Sequence, residues 1–182
     1  MRFFPVSILT SILLTTLPAV AQDDPFSFIG LRYEVISDPD LARPVYKHLP
    51  PDLVVNGGSI VGDVYIAQPW ALGWIQQGNE YLVWFEKILS NVVTQKPQGL
   101  RNHQTILILD VVKLPEGEPN ILLGCERNGN KDPELFAIPS EYQPDSEWIT
   151  DFKQVWRANR QTETLDKLSP AGIRCVNPAW GI

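Results

Sequence analysis

Ser146-Glu147-Trp148-Ile149-Thr150-Asp151-Phe152-Lys153-Gln154-Val155-Trp156-Arg157-Ala158-Asn159 is the stretch whose spacing predicts a helix, and that reading sets the fold class. Trp148, Phe152, Val155 and Trp156 recur at helical spacing along one face. Asp145 or Ser146 stands where a cap is needed to accept from an orphan N–H. Glu147 and Asp151 lie near the start while Lys153, Arg157 and Arg160 lie toward the end, an order that complements the helix dipole.

Outward from this segment the chain reads as strands. Ile173 to Val176 forms a last strand carrying Cys175, and Asn120 to Glu126 an earlier one carrying Cys125. Asn128-Gly129 is the preferred pair for a type I′ turn, whose two central residues both need positive φ, with Glu134 to Ile138 as the returning strand. Gln104 to Leu114 contains Thr105-Ile106-Leu107-Ile108-Leu109-Asp110-Val111-Val112, a buried strand. Glu80 to Asn91 has a helical stripe, but its centre, Tyr81-Leu82-Val83-Trp84-Phe85, is a run of strand formers. Around the turn-rich Lys96–His103 loop the two runs read as a hairpin.

Further upstream, Leu31 to Ile36 and Ile60 to Ala67 read as strands, and Pro69 to Gly78 as a short strand or structured loop. Ser37 to Gly58 reads as loop because Pro39, Pro44, Pro50 and Pro51 block regular structure and Gly57-Gly58 signals a turn. Gln22 to Ile29 reads as a loosely ordered lead-in. The expected fold is α+β, a mainly antiparallel sheet with one C-terminal amphipathic helix packed on it.

The N-terminus has its own logic. Arg2 precedes an apolar core built from Phe3, Phe4, Val6, Ile8, Leu9, Ile12, Leu13, Leu14 and Leu17, without charge. Pro18 ends it, and Ala19-Val20-Ala21 presents the small-x-small pattern of a signal cleavage site. Pro5, Pro18 and interspersed Ser and Thr make it too broken and too short for the ~20 apolar residues of a span. Residues 1–21 are therefore expected to be a cleavable signal peptide, and residues 22–182 a single mature domain without a membrane span, exported to periplasm or beyond.

The 182 residues carry a formal charge of −6, made one unit more negative by loss of Arg2. That balance argues against nucleic acid and anionic membranes as partners. Sixteen prolines and twelve glycines are scattered through the chain, which favours short strands and turns. In an oxidising compartment Cys125 and Cys175 are expected to pair, stapling the return from the helix. Free thiols are the alternative.

Residues with chemical potential are few. His48 and His103, the only histidines, sit in no recognisable motif. No Gly-x-Ser-x-Gly, zinc array or P-loop appears, so no cofactor or metal is called for. Asp110 interrupts an apolar strand; alternation sets it on the face of Ile106 and Ile108, where a buried carboxylate would be a candidate acid or base. A hydrogen-bonded structural aspartate is the alternative. Asn128, Asn130, Asp132 and Glu134 crowd oxygens into one turn, but off the EF-hand pattern. Trp70 and Trp74, with Tyr65 and Tyr81, lie around Gly and Pro and could stack on sugar rings, or could pack a core.

Ile106-Leu107-Ile108-Leu109-Asp110-Val111, Cys125, Asp132-Pro133-Glu134, Trp156-Arg157-Ala158-Asn159 and Gly172-Ile173-Arg174-Cys175-Val176-Asn177 together resemble a group of small exported cyanobacterial proteins with no assigned function. The resemblance covers the C-terminal half, implies a Gram-negative-type envelope and reinforces the disulfide. The expected role is non-enzymatic binding of a protein or envelope component. The alternatives are a carbohydrate- or peptidoglycan-binding module using Trp70 and Trp74, and a carboxylate-based hydrolase using Asp110.

Overall fold

The computed structural model describes residues 25–62, 70–115, 120–141 and 145–180. Among them every regular element is a strand except one 3-10 turn, Pro25–Phe28. The signal segment, residues 1–21, and most of the expected Ile60–Ala67 strand lie outside the described residues.

Three antiparallel sheets are stacked. The largest is built from β1 (Arg32–Ser37), β2 (Val45–Lys47), β3 (Leu53–Val61), β4 (Trp70–Gln77), β5 (Glu80–Lys96) and β6 (Gly99–Lys113), in the order β2-β1-β6-β5-β4-β3. The second contains β7 (Cys125–Arg127), β8 (Asn130–Lys131), β10 (Trp148–Ile149) and β13 (Ile173–Val176), in the order β10-β13-β7-β8. The third, of order β12-β11-β9, contains β9 (Leu135–Pro139), β11 (Phe152–Asn159) and β12 (Thr164–Leu168).

Three apolar clusters hold the layers together. Leu72, Val83 and Phe85 of the large sheet pack on Phe136, Trp156 and Leu165 of the three-stranded sheet, where Phe136 and Trp156 stack at 5.2 Å. On its other face the three-stranded sheet meets the four-stranded one through Leu135, Val155, Ile149 and the two cysteines. The remaining face of the large sheet curls on itself around Trp84, Ile108, Tyr33 and Phe28. Phe28 reaches Trp84 at 5.3 Å, so the lead-in is anchored from the 3-10 turn onward.

The structure overturns the α+β expectation, because the predicted Ser146–Asn159 helix is two strands. Trp148–Ile149 pairs with β13, and Phe152–Asn159 is the central strand of the three-stranded sheet. A register shift between Phe152 and Gln154 breaks the alternation of β11. Beyond it Val155 enters one cluster while Trp156 and Ala158 enter the other. A bulged strand buried on both faces thus imitates steps of three and four.

Two further expectations are corrected. The Ser37–Gly58 loop contains β2 and most of β3. The expected Lys96–His103 loop shrinks to a tight turn, for β5 runs to Lys96 and β6 starts at Gly99. The β5–β6 hairpin itself is present, as is the Asn128-Gly129 turn, with φ of 50° and 79°. That turn leads into β8, with β9 following as the next strand.

Cys125 and Cys175 are bonded and are direct cross-strand partners of β7 and β13. The bridge closes a separation of 50 residues that holds the entire three-stranded sheet. Replacing both cysteines with alanine is expected to lower the unfolding free energy by about 4 kcal/mol on loop-entropy grounds. Denaturant midpoints of the oxidised wild type and the double variant measure this; identical midpoints would mean the staple contributes nothing.

Candidate functional site

The curl of the large sheet makes a groove. Tyr33, Val35 and Tyr46 from β1 and β2 face Val55, Gly58 and Ile60 from β3 across an open space of about 220 Å³. Its floor comes from β4, β5 and β6. Small residues create the room: Gly58 and Gly73 are directly opposed in the β3–β4 ladder, and Ala71 lies beside them opposite Ile60. Glycine inside a strand commonly marks a close approach by another group.

Here that group is the Glu86 carboxylate. A Cβ added to Gly73 would lie 2.6 Å from Glu86 Oε1 and 3.1 Å from Cδ. Glu86 lies opposite Ala71 in β5 and is only 3% exposed. The Tyr33 hydroxyl donates to Oε1 at 2.7 Å. Tyr33 is in turn braced edge-on against Trp84, with ring centroids 6.1 Å apart. Neutral Gln104 and aliphatic Ile88 and Ile106 complete this end of the groove. Among the described residues lining it, Glu86 is the one formal charge.

Burial dominates the electrostatics. Removal from water pushes the Glu86 pKa from its ordinary 4.5 up to about 7, against the opposing pull of the Tyr33 hydrogen bond. Tyr33 is pushed far above its ordinary value, first by burial and then by the negative charge of Glu86. Tyr46 is raised for the same two reasons.

Between pH 4.5 and about 7 the folded chain keeps a proton on Glu86 that the unfolded chain has released. This acid's contribution to stability is therefore intact below pH 4.5, falls as pH rises through that window, and is flat above it. The expected loss is on the order of 3 kcal/mol by pH 8. Glu86→Gln, which keeps an acceptor for Tyr33, should lack this slope and exceed wild type in stability above pH 7. Urea unfolding of both proteins from pH 4.5 to 8 checks it, and parallel profiles would refute the burial of charge.

Gly73→Ala is expected to cost about 1–3 kcal/mol, because the carboxylate it would displace is held by Tyr33. In a Glu86→Ala background the same change should cost much less. Equal costs in the two backgrounds would show that Gly73 is needed for another reason.

No protein family matches the chain, and no curated protein or solved structure is detectably similar to it. The site therefore stands on its geometry alone.

The residues singled out from sequence lie elsewhere. A bulge shifts the β5–β6 register after Phe85 and sends Asp110 away from the face of Ile106 and Ile108. Asp110 Oδ1 accepts from Val111 N at 2.8 Å, and Oδ2 from Leu165 N at 2.6 Å. Asp110 is a strut that ties β6 to β12. Trp70 and Trp74 share one face of β4 but pack against the apolar cluster behind the groove. Lys87 Nζ and Arg160 Cζ lie 5.5 and 5.6 Å from the Trp70 ring centroid. Trp74 closes on Gly57, and lines with Tyr81, Asn56 and Gln76 a separate cleft of about 480 Å³.

The oxygen-rich turn near Asn128 is also committed. Glu134 pairs with Arg157 at 2.9 Å and with Arg160, and Asp132 lies 3.6 Å from Arg157. His103 sits beside Glu34 at 3.1 Å, and Lys47 lies 3.9 Å from the same carboxylate. Sequence reasoning missed Glu86. The signal was present, since alternation in β5 sets Glu86 on the face of Leu82, Trp84 and Ile88.

Proposed function

We propose that the chain is exported by its N-terminal signal and serves outside the cytoplasm as a non-enzymatic binding domain for a small envelope component. The observation that carries this reading is the open groove whose floor holds, over Gly73, a buried carboxyl group with no cationic partner among the described residues. A charged group removed from water at a cavity wall is costly to stability, and a ligand contact there would repay that cost. The bonded Cys125 and Cys175 support an oxidising address. No helix among the described residues is long and apolar enough to cross a membrane.

Binding is favoured over catalysis for a chemical reason. Glu86 is the single carboxylate lining the groove among the described residues, and no histidine, cysteine or cation lines it with Glu86. The titratable groups beside this acid are Tyr33 and Tyr46, both held neutral by burial and by the carboxylate, so no second group poised near neutrality completes an acid/base pair. A carbohydrate reading rests on the separate cleft, which Trp74, Tyr81, Asn56 and Gln76 line.

The test has two arms. Mass spectrometry of exported protein under non-reducing conditions should give a chain starting at Gln22, two hydrogens lighter than its reduced form; retained Met1 overturns the export reading. In the second arm, backbone amide resonances are followed during titration with propylamine, propanol and propionate, three probes of similar size and different charge. At least one should shift the Gly58, Gly73 and Gln104 amides, and Ile60→Trp, at a position 41% exposed on the groove rim, should weaken that binding. Shifts confined to Asn56, Gln76 and Tyr81 would favour the second cleft, and no shift from any probe overturns the groove as a site.

A further inference from the structure

We infer that the groove selects a small organic cation, a primary ammonium group that forms an ion pair with Glu86 beneath the tyrosine rings. The inference rests on the groove being a binding site and adds the chemistry of its ligand.

Charge is the first ground. Every strand around the groove contributes neutral groups except β5. β1 gives Tyr33 and Val35, β2 gives Tyr46, β3 gives Val55, Gly58 and Ile60. β4 adds Ala71 and Gly73, and β6 adds Gln104 and Ile106. The titratable groups facing Glu86 are thus Tyr33 and Tyr46, both held in their neutral forms by burial and by the carboxylate itself. Lys87, next to Glu86 in β5, is turned to the opposite face, where it pairs with Glu163 at 2.7 Å and lies over Trp70, while Glu34, Lys47 and His103 group with one another. An anion would meet an unscreened carboxylate and be repelled. A neutral ligand would leave Glu86 to choose between a buried charge and a proton. A cation removes that conflict, and in a site of low polarity the pairing gains strength.

Hydrogen bonding is the second. Tyr33 occupies Oε1, and a carboxylate has acceptor capacity for further donors. An ammonium group carries three N–H donors and no acceptor. It can bond the carboxylate with donors to spare, in a groove that Gln104 and the aromatic Tyr46 also line. An alcohol brings a single donor and no charge to that carboxylate, and a carboxylate ligand brings only acceptors and a second negative charge.

Size is the third. About 220 Å³ is below the roughly 300–1,000 Å³ of sites that enclose drug-sized ligands. It suits a short aliphatic amine against the walls of Ile88, Ile106 and Val55. The negative charge of the whole chain favours the approach of cations over anions.

The three isosteric probes separate this inference from the one it rests on. At pH 8 propylamine should bind, with propanol and propionate at least tenfold weaker. As pH falls to 5.5 and Glu86 takes up a proton, propylamine affinity should drop roughly tenfold or more, because only the ionised fraction is competent. Propylamine itself stays protonated across this range, so the change reports on the protein. Glu86→Gln should abolish the preference for propylamine, whereas Glu34→Gln, on the same sheet but outside the groove, should retain it. The wild-type pH profile needs no variant and guards against a substitution that misfolds. If propanol binds as tightly as propylamine, or if affinity does not change with pH, the cation inference falls while the groove stands. If none of the three binds, both fall.

Discussion

Leu82, Val83, Trp84, Phe85 and Glu86 are five consecutive residues of β5, each no more than 3% exposed. Successive side chains of a strand point to opposite faces, so a strand this dry must be covered on both. One cover is the three-stranded sheet, whose Phe136, Trp156 and Leu165 take Val83 and Phe85. The other is the large sheet itself, which bends until Val35 of β1, one strand in from one end, and Val55 of β3, at the other end, join Leu82 and Trp84 in one cluster. The curl, the groove inside it and the layered arrangement outside it are consequences of keeping those five residues out of water.

Within that constraint Glu86 is the exception that locates the site. An acid on a fully covered strand needs a donor and room to lie down. Tyr33 supplies the first from the opposite side of β6, and the bare backbone of Gly73 supplies the second. These contacts leave the negative charge uncompensated. The other buried acids are treated differently: Glu134 has Arg157 and Arg160, and Glu126 has Arg174 at 2.6 Å. The contrast within a single chain is informative, because arginine partners were evidently compatible with the fold wherever a buried acid serves structure.

Much of the sheet architecture was legible in the sequence. The β5–β6 hairpin announced itself by two apolar runs, and Asn128-Gly129 by its demand for positive φ. The Cys125–Cys175 disulfide matches what the cysteine count and the expected compartment implied. Legibility failed wherever the ladder is irregular. A bulge in β11 mixed residues of two clusters on one apparent helical face, and another in β6 turned Asp110 to the opposite side from the one alternation gives. Gly57-Gly58 looked like a turn because nothing local reveals that the Trp74 ring and the Leu72 carbonyl of β4 need that space. The site was missed for a related reason. Asp110 stands out in the more uniform apolar strand, whereas Glu86 interrupts an apolar face just as plainly only when β5 is read as a strand.

One further property follows from the order of the large sheet. β2 and β3 are its two ends, and no ladder joins them, so the curled sheet is a ring with a gap. Tyr46 and Ile60 stand on either side of that gap, at the rim of the groove. Prising the gap wider separates side chains but breaks no strand-to-strand hydrogen bond between those ends. The floor beneath it, by contrast, is the continuous hydrogen-bonded β4–β5–β6 ladder. Under the proposed binding role, discrimination would fall on what reaches the floor, and the bulk of whatever remains outside would be left comparatively unrestricted.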